Sequence, residues 1–423
     1  MHLPTTTALD SGHFEGVDLV ALAIREGTPL YVYSAPQIRQ RVRALRAALT
    51  GMDAGIRYAV KANGNAAILR LLADEGAGAD IVSGGELQRA LRAGIAASQI
   101  VFSGVGKTDA EIVMALDAGI ERFNVESRAE LDSVQRLAAQ RGVLAAASVR
   151  INPDVDARTH AKISTGKAEN KFGVTIDEAR AWFAESATRP NVRLDGLHMH
   201  IGSQLLDLAP VRAALARMAA FWRELEAAGH RIASIDVGGG LGVRYRAGET
   251  APQAAAYVAA IAEALQGFRG RILVEPGRWL VAEAGILLSR VVLEKQGRER
   301  RFLVLDAAMN ELVRPSLYDA WHDIVPVHAD AAREALDYDV VGPVCETGDT
   351  FATQRRMPRC VANELVAILG VGAYGASMSS TYNSRPLAAE VLVEDGRYAV
   401  IRGRQSLDAM IADEHPATEW NTP

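Results

Sequence analysis

The residues best suited to chemistry are Lys61, His198, His200, Ser203, the glycines 238–240, Glu275 and Arg278. Lys61 closes the run Tyr58-Ala-Val, a place where partial desolvation lowers the pKa and favours the neutral amine, and with it attack on a carbonyl to form a Schiff base. Read alone, it is equally a snorkelling or ion-paired lysine. Gly238, Gly239 and Gly240 bare backbone amides that can approach an anion, or make a tight turn. Glu275 follows the apolar run Ile272-Leu-Val with Arg278 three residues on, which reads as a carboxylate for a ring nitrogen or as half of a buried ion pair. His198 and His200 stand two apart, as metal ligands on one strand face do. Of nine histidines only His160 could join them, so a stacking role for one imidazole is favoured and no metal is expected. An amine for a Schiff base, glycine amides for a phosphate, a carboxylate for a pyridinium and an imidazole face are together what pyridoxal phosphate requires.

These residues need a scaffold that gathers them. Between Ile56 and Gly277 eight short apolar runs alternate with Ala/Leu/Glu/Arg stretches of helical period: Ile56–Val60, Ala79–Val82, Ile100–Phe102, Arg122–Val125, Ala147–Ile151, Gly196–His200, Ser234–Val237 and Arg271–Val274. Eight strand–helix units in roughly 220 residues predict an α/β fold, a (β/α)8 TIM-like barrel. An open doubly wound sheet is the alternative, but it wants a GxGxxG turn after its first strand, where Lys61-Ala-Asn-Gly-Asn stands. In a barrel the working residues lie at the C-terminal strand ends, and Lys61, Ser83–Glu86, Ser103-Gly104, Glu126, Asn152-Pro153, His200–Ser203, Gly238–Gly242 and Glu275–Arg278 all fall there. After Gly277 the pattern changes to strand-like runs, with a hairpin signal at Glu394-Asp-Gly-Arg. The expectation is an N-terminal segment 1–35 whose strand joins a C-terminal all-β domain, a barrel over 36–280, and that β domain over 281–423.

Composition narrows the class. Apolar residues make 49% and charged residues 23% of 423, ordinary globular values, and the net charge of −5 with no basic stripe argues against nucleic acid. Two cysteines, Cys345 and Cys360, form no CxxC pair and no disulfide framework. No apolar run approaches a membrane span and no secretory leader is visible, so a cytoplasmic protein is expected.

Seven motifs in order carry a resemblance: Tyr58-Ala-Val-Lys61-Ala-Asn, Ser83-Gly-Gly-Glu86, His198-Met-His-Ile-Gly-Ser203, Asp236-Val-Gly-Gly-Gly-Leu-Gly242, Glu275-Pro-Gly-Arg278, Gly342-Pro-Val-Cys-Glu346 and Gly372-Ala-Tyr374. Together they resemble the diaminopimelate decarboxylase family, which belongs to the barrel-type (fold type III) pyridoxal-phosphate decarboxylases alongside ornithine, arginine and carboxynorspermidine decarboxylases. The resemblance implies pyridoxal 5'-phosphate on Lys61, Glu275 at the pyridine nitrogen and His200 stacked on the ring, with Ser203, Gly239, Gly240, Gly277, Arg278 and Tyr374 holding the cofactor. It further implies Cys345 as the acid that protonates the carbanion carbon, and a homodimer in which Cys345 and Glu346 reach across to the partner's site. For the substrate it implies Arg314 on a distal carboxylate beside Arg278, Tyr318 and Tyr374, with Glu346 on a distal ammonium; ornithine would need no such cation. The stretch Thr159–Gly166 through Lys171-Phe-Gly173 resembles the diaminopimelate branch, and its loop is the expected lid. The implied reaction is decarboxylation of meso-diaminopimelate to L-lysine, with an ornithine, arginine or carboxynorspermidine decarboxylase as the alternative.

Overall fold

The structure, a computed structural model, describes residues 9, 12–156, 171–246, 248–328, 332–417 and 420. His160, the stretch Thr159–Gly166 and the tip of the expected lid lie outside them. The chain divides into two compact units: one of Ala35–Ala284 with Gly372–Ser377, the other of the segment ending at Ser34 with Gly285–Val371 and Met378–Pro423.

The first unit is a closed barrel of eight parallel strands, Ala54–Ala59, Gly78–Ile81, Ile100–Phe102, Arg122–Val125, Ala145–Arg150, Val192–His198, Ser234–Asp236 and Arg271–Val274. The ring closes where Ile272 of the eighth strand pairs with Ala54 of the first. Each of the eight expected runs overlaps one strand. The reason is that strands covered by helices on one side and packed inside on the other read as near-continuous apolar runs. Short polar residues start the helices between them. Thr108 and Glu111 form a reciprocal capping box on helix Asp109–Ala118, and Ser127 caps helix Arg128–Arg141; each such cap is worth about 1 kcal/mol. Ser83 likewise accepts from the Glu86 amide to start helix Gly84–Arg92, so Ser83-Gly-Gly-Glu86 builds a helix entry at the mouth.

The second unit is mostly sheet, as expected. Strand order is Thr350–Pro358, Ala335–Val341, Arg301–Leu305, Gly285–Gln296, Leu30–Ser34, Ala389–Glu394 and Arg397–Arg402, with Leu365–Leu369 and Ile324–Pro326 branching off Gly285–Gln296. Strand Leu30–Ser34 sits inside this sheet, antiparallel to Gly285–Gln296 and parallel to Ala389–Glu394. The hairpin forms at Glu394–Arg397 with Asp395 and Gly396 both at positive φ, the backbone that a two-residue turn between twisted strands demands. The unit also carries helices Leu19–Glu26, Arg314–Tyr318 and Leu407–Ile411, which the all-β expectation left out. The first is fixed by Asp18, whose carboxylate accepts from the Val20 and Ala21 amides, and it buries Leu19, Leu22 and Ala23 against Leu30, Val32, Ile286 and Val391.

Candidate active site

Lys61 lies just past the first barrel strand, in a single turn Val60–Ala62. That turn is held by a segment remote in sequence: the Tyr374 amide donates to the Ala62 carbonyl at 2.8 Å, and Asn63 Nδ2 donates to the Gly372 carbonyl at 3.2 Å. Tyr374 therefore belongs to the barrel unit, although it follows the last barrel strand by almost a hundred residues. Lys61 Nζ is 2.8 Å from Asp80 Oδ2; the carboxylate is fully buried while the lysine side chain stays 40% exposed. Burial pulls the ammonium down, but the charges of Asp80, Tyr374 and Glu275 outweigh it and lift the amine above the ordinary lysine range. This corrects the expectation of a lowered pKa at Lys61: desolvation was right, and its counter-ion was missed.

Glu275, at the end of the eighth strand, is buried beneath the mouth. Its Oε2 is 3.2 Å from His198 Nε2, and its Oε1 accepts from Asn124 Nδ2 at 3.3 Å. Burial and the neighbouring Asp80 charge raise this carboxyl to about 8, against the opposing pull of Lys61. His198, Asp236 and Glu275 bring their ligand atoms within 4.8 Å of one another, all three buried. Burial drives the His198 imidazole down to about 4 and Asp236 well above the usual carboxylate range, so the trio shares protons in preference to carrying charge.

His198 and His200 go separate ways. His198 ends its strand and points inward to Glu275, whereas His200 lies past the strand, half-buried, and its Nδ1 accepts from the Gly239 amide at 3.2 Å. Burial and the Arg150 charge push the His200 imidazole well below its ordinary range, which leaves the ring neutral. Gly239 and Gly240 have no room for a side chain: a Cβ would stand 2.2 Å from the Glu275 carbonyl at Gly239 and 2.5 Å from the Gly202 carbonyl at Gly240, whose φ is +103°. Arg278 is buried, donates to Ser203 Oγ at 2.9 and 3.1 Å and to the Tyr245 hydroxyl at 2.8 Å, and has its guanidinium 4.9 Å from the Tyr374 ring centre. One mouth thus gathers Lys61, His200, Ser203, Gly239, Gly240, Glu275, Gly277, Arg278 and Tyr374.

The second unit holds the remaining predicted residues. Arg314 is buried and opens helix Arg314–Tyr318, with Tyr318 half-buried at its end. Cys345 and Glu346 are exposed on one loop; the Cys345 amide donates to Asn383 Oδ1 at 2.9 Å, and Glu346 Oε1 accepts from the Gly348 amide at 3.2 Å. Sequence reading missed Asp80, Asn124 and Tyr245, and gave Asp236 no role. For Asp80, Asn124 and Asp236 the signal was a polar side chain inside an apolar strand run, as in Gly78-Ala-Asp-Ile and Ser234-Ile-Asp; Tyr245, in a loop, carried none. Glu126 serves structure: it accepts from the Gly104 and Gly173 amides and from Arg150, tying three loops of the mouth together.

The mouth fits pyridoxal phosphate on its own terms. It offers an accessible amine, a turn of two glycines with no room for a side chain, a buried protonatable carboxyl and a flat neutral imidazole. A parallel eight-stranded barrel carrying this set defines a barrel-type pyridoxal-phosphate enzyme. Residues 35–282 match the family described as "Pyridoxal-dependent decarboxylase, pyridoxal binding domain". The diaminopimelate decarboxylase of Zymomonas mobilis is 48% identical over 410 residues, covering 96% of this chain and 97% of the relative. Solved diaminopimelate decarboxylases from Helicobacter pylori and M. jannaschii, both in complex with L-lysine, superpose with TM-scores of 0.90 and 0.92 at 44% and 36% identity; they cover 93% and 97% of this chain and 98% of each of their own. The chain belongs to the diaminopimelate decarboxylase family of pyridoxal-dependent decarboxylases.

Proposed function

We infer that this chain decarboxylates meso-2,6-diaminopimelate at its D centre with pyridoxal 5'-phosphate, giving L-lysine and CO2, the last step of lysine biosynthesis. The observation that carries the reading is the 48% identity, over nearly the full length of both chains, to a diaminopimelate decarboxylase. The mouth chemistry agrees with it, and the ornithine or arginine alternative is not favoured. When bound, the cofactor supplies an electron sink for the bond that breaks to release CO2.

The residues then divide the work. Lys61 anchors the cofactor through Nζ, and Asp80 is the counter-ion of its ammonium until the amine loses its proton. Glu275 would hold a proton at its carboxyl for the pyridine nitrogen, backed by His198 and Asp236, and His200 would offer its neutral ring to the cofactor. The glycine turn at Gly239 and Gly240, the turn at Gly277, the Ser203 hydroxyl, Arg278 and Tyr374 would hold the phosphate end; Arg278 and Tyr374 would also border the substrate. Arg314 takes the distal carboxylate as a bidentate donor, Glu346 takes the distal ammonium, and Tyr318 lies beside them. Cys345 moves its Sγ proton to the carbon from which CO2 has left. On the resemblance, Cys345 and Glu346 act in the partner's site of a homodimer. A cytoplasmic location fits a free thiol in a catalytic role, and no described helix is long and apolar enough to cross a membrane.

The deciding experiment measures CO2 and lysine from meso-diaminopimelate, ornithine and arginine, with and without added pyridoxal phosphate. Lysine formed from diaminopimelate alone, dependent on cofactor, with the borohydride adduct mapping to Lys61, is expected. Release of CO2 from ornithine and not from diaminopimelate would reverse the assignment.

A further inference from the structure

Arg314 is only 5% exposed, and a buried guanidinium needs partners that fix its direction. Its NH1 lies 2.7 Å from His322 Nε2, and the other ring nitrogen, Nδ1, lies 2.8 Å from the Leu369 carbonyl. A carbonyl oxygen only accepts, so Nδ1 carries the proton; a guanidinium only donates, so Nε2 offers its lone pair. The two bonds together allow a single neutral tautomer. His322 is itself 1% exposed and cannot swing away. Its carbonyl accepts from Arg355 NH1 at 2.9 Å, and the Arg355 guanidinium lies 3.5 Å from the Trp321 ring centre. On the other side, the Leu369 amide donates to the Asp323 carbonyl at 2.8 Å, so strand Leu365–Leu369 and residues 321–323 are laced together around the imidazole. Arg314 thus rests on a ring that is oriented from the sheet.

We propose that His322 is the positioning residue for Arg314: by accepting one guanidinium N–H it sets the plane in which Arg314 meets the distal carboxylate of the substrate, and so contributes to selection of a substrate carrying that carboxylate. The proposal rests on the reading of Arg314 given above. It makes His322 a device for binding one end of the substrate, with no part in the bond breaking at the other.

The test uses the holoenzyme and two ligands that differ in this carboxylate. L-lysine keeps the distal amino-acid end of diaminopimelate, and cadaverine lacks it. His322→Asn preserves a donor to Leu369 but is too short to reach Arg314, whereas His322→Gln offers both a donor and an acceptor. His322→Asn should raise the KM for diaminopimelate and the Ki of L-lysine on the order of tenfold, the scale of one lost charged hydrogen bond, and leave kcat and the Ki of cadaverine within about twofold. His322→Gln should recover most of the loss. An unchanged lysine Ki, or equal weakening of lysine and cadaverine, overturns the proposal. Arg314→Gln separates the two levels: if it leaves the lysine Ki unchanged, the role of Arg314 itself fails; if it weakens lysine while His322→Asn does not, only the role of His322 fails. Should His322→Asn not fold, 15N spectra of the wild-type protein decide. An Nδ1–H tautomer whose shifts respond to L-lysine supports the proposal, and an Nε2–H tautomer overturns it.

Discussion

Replacing Asp80 by Asn removes the counter-charge of Lys61 with almost no change of shape. The carboxylate lies 2.8 Å from Nζ. At that separation and an effective dielectric of about 20 the attraction is about 6 kcal/mol. The lysine side chain is 40% exposed, so solvent screens the pair, and halving the attraction leaves about 3 kcal/mol. At about 1.4 kcal/mol per decade this corresponds to a roughly 100-fold larger fraction of neutral amine at any pH below the lysine range. Only the neutral amine attacks an aldehyde, so apoprotein carrying Asp80→Asn should capture pyridoxal phosphate up to about 100 times faster near neutral pH. The sign is set by the raised Lys61 pKa: capture by the wild type climbs with pH until the amine deprotonates, and the variant should reach its plateau at lower pH. Stopped-flow absorbance between about pH 6 and about pH 10 measures both, with circular dichroism confirming that the variant is folded. If the variant captures cofactor no faster than wild type at every pH, Asp80 does not hold the Lys61 proton and the electrostatic account of the mouth is wrong.

Three further outcomes are expected. Glu275, raised to about 8 by burial, keeps its proton in the folded apoprotein after an unfolded chain has lost it near 4.5. The folded state binds more protons in that window, so this group's contribution to stability is lost as pH rises through about 8, and Glu275→Gln should flatten the fall of the apoprotein melting temperature between those limits. Gly239→Ala pushes a methyl to 2.2 Å from the Glu275 carbonyl; it should cost about 1–3 kcal/mol of stability and weaken pyridoxal-phosphate retention at least about tenfold by ultrafiltration, and wild-type retention would exclude this glycine turn from the cradle. Cys345→Ala should lower kcat by about 10²- to 10⁴-fold while the bound-cofactor absorbance is unchanged, and a kcat within about twofold of wild type would remove Cys345 as the proton donor.

Legibility in the sequence followed the range of each interaction. The eight barrel strands were readable because each declares itself within three to seven residues, and the strand-end positions of Lys61, His200, Gly239 and Glu275 followed from them. What could not be read was set by neighbours across strands. Asp80 stands opposite Ala59 in the pairing of the first two barrel strands, two residues before Lys61, and this register brings the carboxylate to the amine. Nineteen residues of chain separate the two, with nothing in their spacing to announce the pair. Tyr374 is a stronger case: its place on the Ala62 carbonyl requires the chain to leave the barrel, build most of a second unit and return for the segment Gly372–Ser377. Charge states were the least legible of all. Burial alone pulls Lys61 down and its neighbours lift it, while burial alone raises Glu275 and Lys61 pulls it back. The protonation of Lys61, His198, Asp236 and Glu275 is therefore set in common by the Asp80 charge, and substituting Asp80 should move the titration of all four.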